Sequence, residues 1–193
     1  MGNSSGRPTE ADERILTLEE IALGKKTDKL SHHSYLPLYT RLFAPFRDRP
    51  EPILEVGAWY GGSLLMWAEY FSCNPIVGCE TNRVPLPEDA DRRIRIVHGD
   101  AYTQYTRTFL ETLGPYSITI DDGPHTLESQ IYFCEHYPKM LVADGIAIVE
   151  DIQVPHHLVE LAGAVPKGFQ SAAVDLRHVK DRYDDLALLI WRG

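Results

Sequence analysis

Ile53-Leu54-Glu55-Val56-Gly57-Ala58-Trp59-Tyr60-Gly61-Gly62-Ser63 is the stretch that decides the fold. Its first four residues are a short, nearly apolar run of the kind a buried strand needs, and a glycine-rich turn follows. After the turn, residues 63–71 carry apolar side chains at helical spacing. Glycines let the backbone approach a ligand closely, and a helix beginning near Ser63 aims free N–H groups into the same space. A dinucleotide fingerprint needs GxGxxG, and Trp59 stands where its second glycine would be.

Outward from this unit the alternation repeats. Residues 75–79 read as a second strand ending at Glu80, and 94–97 as a third ending at His98-Gly99-Asp100. Residues 116–120 give a fourth, ending at Asp121-Asp122, and 146–149 a fifth, ending at Glu150-Asp151. Helical patterns over 105–113 and 127–141 separate the later strands. Strands alternating with helices predict right-handed crossovers and a parallel sheet covered on both faces. The C-terminal part differs: 171–176 and 186–191 read as strands joined by the charged segment 177–185, which has no apolar helical face. A closing antiparallel hairpin is expected there. Near the start, residues 15–23 predict one helix, and Ser31 is expected to cap a second with an apolar stripe of Leu36, Tyr39, Leu42 and Phe43. The expected architecture is α/β and Rossmann-like, a mostly parallel seven-stranded sheet with a C-terminal antiparallel hairpin and an N-terminal helical cap. Residues 1–12 read as a flexible tail and 13–193 as a single domain, with 13–45 as the cap and 50–193 as the core.

Composition narrows the function classes. The 193 residues are 44% hydrophobic and 24% charged, ordinary for a globular chain, and the formal net charge of -9 argues against nucleic acid as a partner. No 18-residue apolar run exists, so no membrane span is expected. The first residues lack the basic and apolar regions of a signal peptide, and Gly6 breaks the myristoylation pattern. Cys73, Cys79 and Cys134 form no CxxC pair, and Cys79 reads as a small core residue, so a reducing cytoplasm is the expected compartment.

Ligands of open parallel sheets bind beyond the carboxyl ends of the strands. Four of the five strand ends here carry acids and the fifth carries the glycine loop. Asp122, Glu150 and Asp151 end two strands expected to be neighbours, and three uncompensated carboxylates would repel one another. A hard divalent cation resolves that repulsion, and all-oxygen ligands favour Mg²⁺. His125 follows across the tight Gly123-Pro124 turn, placed to act as a base. A plain turn at 121–124 and a loop start at 150–151 remain the competing reading. Asp121 is secondary, alternating with Asp122. His32 and His33 could line a substrate mouth or start an exposed helix, and His156 and His157 could be solvated or substrate-facing. Trp59 and Tyr60 could be cleft walls or core.

The spacing acid-x-Gly-x-x-x-Gly from Glu55 to Gly61 resembles the first motif of class I methyltransferases, whose loop faces the methionine part of S-adenosylmethionine. On that likeness Glu80, 23 residues after Gly57, would accept both ribose hydroxyl protons, and Asp100 would meet the adenine amino group with Tyr102 as a wall. A longer resemblance runs from Thr27 to Asp151. Asp121-Asp122-Gly123-Pro124-His125 with Glu150-Asp151 is similar to the DDGSH…ED pattern of the metal-dependent sugar O-methyltransferases of macrolide tailoring, such as the mycinamicin and macrocin enzymes. Thr27-Asp28-Lys29 and His33-x-Tyr35-x-x-x-Tyr39 resemble the family's TDK…HxYxxxY segment. Leu54-Glu55-Val56-Gly57, Gly61-Gly62-Ser63-Leu64 and Trp67 resemble its first motif. The resemblance implies Asp122, Glu150 and Asp151 as Mg²⁺ ligands and His125 as the base. It implies Thr27, Lys29, Gly57, Ser63, Glu80, Asp100, Ala101 and Tyr102 as the cofactor side. Pro124 departs from the family's Ser, which stiffens the turn and removes no ligand. The implied acceptor is a small molecule or oligosaccharide, with a homodimer as an expected assembly. The chain is short for the macrolide enzymes and suits a compact relative, so a partly methylated mannose-type acceptor is the first expectation. Rival readings are a Mg²⁺-dependent catechol or phenol O-methyltransferase, a non-haem iron oxygenase using His125 with His156 or His157, and a binding module without catalysis.

Overall fold

The computed structural model describes residues 16–193. The expected tail of residues 1–12, and Ile15 at the expected start of the first helix, lie outside the described residues. The strands are β1 (Ile53–Val56), β2 (Ile76–Glu80), β3 (Ile94–His98), β4 (Tyr116–Asp121), β5 (Leu141–Val149), β6 (Phe169–Asp175) and β7 (Leu186–Arg192). They form one sheet in the order β3-β2-β1-β4-β5-β7-β6. The first five strands pair in parallel, while β7 runs antiparallel to both β5 and β6. Order reverses at β1, which has β2 on one side and β4 on the other, so the crevice sits beyond their carboxyl ends.

The helices are α1 (Leu18–Ala22), α2 (Asp28–Ser31), α3 (Leu36–Phe43), α4 (Gly62–Tyr70), α5 (Gln104–Glu111), α6 (Leu127–His136), α7 (His157–Ala164) and α8 (Arg177–Lys180). Successive strand residues point to opposite faces, and this alternation divides the core in two. Ile53, Ile76, Ile118, Ile148 and Leu189 pack with buried residues of α1, α3 and α4. Leu54, Val77, Ala147, Val149 and Leu188 pack with those of α5, α6 and α7. Both faces of the central strands are covered, which explains their near-continuous apolar runs.

Several boundaries differ from expectation. Ser31 ends α2 rather than capping the next helix; Thr27 caps α2 instead, accepting from the Lys29 N–H at 3.3 Å. The helix expected over 127–141 stops at His136, and Tyr137–Met140 tighten into a 3-10 turn containing Pro138, whose missing N–H cannot continue the ladder. β5 therefore begins at Leu141, not at residue 146. Three helices were not expected: the short α2 ahead of the cap helix α3, α7 between β5 and β6, and the four-residue α8 inside the charged link of the closing hairpin. No described helix is long and apolar enough to cross a membrane.

Candidate active site

A cavity of about 990 Å³ opens at the carboxyl ends of the parallel strands. Its backbone depends on one glycine above others. Gly57 has φ +87, and a Cβ there would stand 1.8 Å from the Asp122 carbonyl oxygen, so the β1 and β4 loops touch only because the side chain is absent. Three non-glycine residues beside the cavity or its acids are also held in the left-handed region: Trp59 (φ 41), His125 (φ 55) and Asp151 (φ 53). Such strain persists where surrounding contacts over-determine the backbone, and it gathers at functional sites.

At one end of the cavity, Glu80 Oε2 accepts from the Trp59 N–H at 3.0 Å, and Oε1 accepts from the Asn82 N–H and the Thr81 hydroxyl, each at 3.0 Å. Burial pushes the Glu80 carboxyl up, but these bonds outweigh it and hold the group below its usual range. Asp100 Oδ1 accepts from the Tyr102 N–H at 2.9 Å, and the Tyr102 hydroxyl donates to Asp121. Thr27, Gly57, Ser63, Glu80, Asp100, Ala101 and Tyr102 all line this cavity, and so do Trp59 and Tyr60, both exposed cleft walls.

Lys29 does not line it. Its ammonium is buried among three carboxyl groups, 2.5 Å from Glu150 Oε2, 2.7 Å from Asp122 Oδ2 and 3.4 Å from Glu55 Oε1. Burial alone would lower the Lys29 pKa, yet Asp122, Glu150 and Glu55 outweigh it and raise the group well above its usual value. Lys29, expected on the cofactor side, thus stands in this structure as the cation among the acids. Glu55 Oε2 accepts from the Ser63 hydroxyl at 2.5 Å and from Trp67 Nε1 at 3.2 Å. Burial pushes the Glu55 carboxyl up to about 7 against the opposing charge of Lys29.

The other end holds the acid cluster. Ligand atoms of Asp122, His125 and Asp151 all lie within 4.8 Å of one another, with His125 Nε2 3.9 Å from Asp122 Oδ1 and 3.7 Å from Asp151 Oδ2. The two carboxylates suit a hard divalent cation, with the imidazole standing beside it rather than in its oxygen set, so the residues fit an ion. Glu150 stands differently from Asp122 and Asp151: Oε2 meets Lys29 and Oε1 accepts from the Tyr39 hydroxyl at 2.5 Å. Burial pushes the Glu150 carboxyl well above its usual range, with Lys29 opposing and Asp122 and Asp151 adding. Burial likewise raises Asp151, helped by Asp122 and opposed by His33 and His125. Asp121 is buried beneath the site rather than exposed in it.

His33 is buried against Asp185, whereas His32 is exposed and bonded to Ser31. His156 and His157 stack edge to face at the start of α7, and among the described residues neither joins a group able to hold a metal. Among the described residues, neither His156 nor His157 is thus brought to His125 as the iron-oxygenase reading expects. The residues that sequence reasoning left without a role are Tyr35, Tyr39, Glu55 and Asp185. Tyr35, Tyr39 and Glu55 were visible as members of the HxYxxxY and first-motif resemblances, and Asp185 lay unremarked in the charged link 177–185.

No protein-family model matches the chain. It is 32% identical over 148 residues to the 8-demethyl-8-alpha-L-rhamnosyl tetracenomycin-C 2'-O-methyltransferase of Streptomyces olivaceus, covering 72% of this chain and 38% of that protein. It is 30% identical over 132 residues to the mycinamicin VI 2''-O-methyltransferase of Micromonospora griseorubida, covering 62% and 32%. The chain thus spans about a third of the length of these curated relatives. Among solved structures, the MycE methyltransferase of mycinamycin biosynthesis in complex with Mg and SAH superposes with a TM-score of 0.76 at 21% identity, over 93% of this chain and 55% of that one. The fold is accordingly that of the Rossmann-like class I methyltransferases, and in sequence the chain resembles sugar and macrolide O-methyltransferases.

Proposed function

We propose that this chain is an S-adenosylmethionine-dependent, Mg²⁺-dependent O-methyltransferase that methylates a hydroxyl of a sugar or glycosylated small molecule. The observation that carries the reading is one cavity bounded by Gly57, Glu80 and Asp100 at one end and by Asp122 and His125 at the other. In this reading Glu80 accepts from the ribose hydroxyls, Asp100 meets the adenine amino group, and Tyr102 walls the base. Asp122 and Asp151 offer the oxygens for a divalent ion, with Glu150 behind them. A bound ion supplies Lewis acidity, lowering the pKa of an alcohol held beside it. His125 Nε2 would take the hydroxyl proton, and S-adenosylmethionine held at the other end would supply the methyl group, leaving as S-adenosylhomocysteine. A partly methylated mannoside is the first acceptor to try, and a homodimer in a reducing cytoplasm completes the reading.

Methyl transfer from labelled S-adenosylmethionine to a panel of sugars and phenols, with and without chelator, tests the whole. Transfer to a sugar that stops in chelator and returns with Mg²⁺ is expected. Transfer to phenols alone replaces the acceptor class, and full rate in chelator removes the ion. His125→Ala should cut turnover by about a hundredfold or more. A wild-type rate for that variant on every accepted sugar would assign proton removal elsewhere.

A further inference from the structure

Three acids at the β4 and β5 ends, Asp122, Glu150 and Asp151, each meet a donor from one short segment of the N-terminal helices. Lys29 reaches Asp122 and Glu150, Tyr39 reaches Glu150, and His33 and Tyr35 reach Asp151. The arrangement around Asp151 treats its two oxygens differently. Oδ1 accepts from the Tyr35 hydroxyl at 2.8 Å and lies 3.3 Å from His33 Nδ1. The same Tyr35 oxygen accepts from the Asp151 N–H at 3.1 Å, so one hydroxyl grips both the backbone and the side chain of a residue whose φ is 53°. His33 Nδ1 is in turn 2.8 Å from Asp185 Oδ1, a fully buried carboxylate. Lying between two carboxyl oxygens, that nitrogen is placed to donate to them in the tautomer that carries its proton. The His33 ring stacks on Tyr35 with centroids 5.5 Å apart and planes 5° from parallel. Oδ2, by contrast, faces His125 Nε2 at 3.7 Å and belongs to the cluster with Asp122.

Resting on the reading of that cluster as an ion site, we propose that His33 and Tyr35 are positioning residues for Asp151, with Asp185 fixing His33. They hold Oδ1 from the far side, so that Oδ2 alone is presented toward Asp122 and His125. A carboxylate without such partners can rotate and offer either oxygen, and an ion bound to it must fix the rotor itself. Partners behind metal ligands elsewhere are worth roughly ten- to a hundredfold in ion affinity. The HxYxxxY segment thereby gains a chemical purpose for its first two members.

The test uses the full chain with Mn²⁺ as the probe ion, its affinity read by electron paramagnetic resonance, and S-adenosylhomocysteine affinity read alongside by calorimetry. His33→Phe keeps the ring stack but loses the donor. Tyr35→Phe deletes a single oxygen and keeps the proposal testable should His33→Phe fail to fold. Each variant is expected to weaken Mn²⁺ by about tenfold or more while S-adenosylhomocysteine affinity stays unchanged. A merely structural role would lower the melting temperature and leave Mn²⁺ affinity as in the wild type, and that result overturns the proposal. If the wild type itself binds no Mn²⁺, the ion reading falls first and takes this inference with it.

Discussion

A single ammonium, that of Lys29, stands between three carboxyl groups with almost no water access. Burying charge is costly unless it is paired, and removing one partner of a buried pair typically costs about 3–5 kcal/mol because the remainder is left uncompensated. Lys29→Met should lower the unfolding free energy by an amount on that order, measured by urea denaturation without divalent ions. An unchanged midpoint would mean that the carboxyls simply take up protons when the ammonium leaves. Asp121 gives the residue scale its pH dependence. It is buried beneath the cavity, Oδ2 lacks a partner, and burial pushes its carboxyl up to about 7 despite the Tyr102 hydroxyl. A carboxyl whose pKa is higher folded than unfolded contributes stability that is fully present below about pH 4 and lost as pH rises through about 7. Over that window the wild type should lose up to about 1.4 kcal/mol per pH unit from this group. Asp121→Asn should flatten the curve, so melting curves from pH 4 to 8 that stay parallel for both proteins would assign the slope to other groups.

At the scale of elements, the cap segment is docked through a glycine. A Cβ on Gly62 would stand 1.9 Å from the Lys26 carbonyl oxygen, so α4 and the chain entering α2 are in backbone contact. Gly62→Ala should push residues 26–31 outward, loosen Lys29 from the acids, and raise hydrogen exchange in that segment while β1 and β4 stay protected. Uniform protection in wild type and variant would show that α4 yields instead. The sheet itself was readable because strands buried on both faces read as short, near-continuous apolar runs, as in β1, β2 and β4. Element ends were less readable: Pro138 breaks α6 through a missing donor, and α7 carries only Leu161 as a buried residue, too few for a periodic signal. The strand-end acids and His125 were visible because each lies at, or within a few residues of, the end of a strand. The roles of Lys29 and His33 were not, since their partners lie 93 and 152 residues away and only the closed sheet brings them near.

The whole molecule is what assembles the cavity, whose lining runs from Lys26 through Gly57, Glu80 and Asp100 to Glu135. No contiguous piece of chain contains more than a fragment of that lining, so an unfolded chain offers a nucleoside nothing comparable. A ligand that binds only the folded form stabilises it by mass action, by about 2.7 kcal/mol at a concentration one hundred times its dissociation constant. S-adenosylhomocysteine at that excess should therefore raise the unfolding free energy by about this much and shift the melting temperature by several degrees. The Glu80 carboxylate is pre-organised by the Trp59 and Asn82 N–H groups, so its loss removes a charged acceptor without disturbing the core. Glu80→Ala should keep the melting temperature of the free protein and lose about half of the ligand-induced shift or more at the same concentration, as expected when affinity falls by about tenfold or more. NAD, which shares the adenosine but needs room for a pyrophosphate beside a GxGxxG turn, should produce little shift, because Trp59 occupies the position of the second glycine. An equal shift with NAD, or an undiminished one in Glu80→Ala, would mean that the cavity holds its nucleoside by contacts other than the strand-end acid.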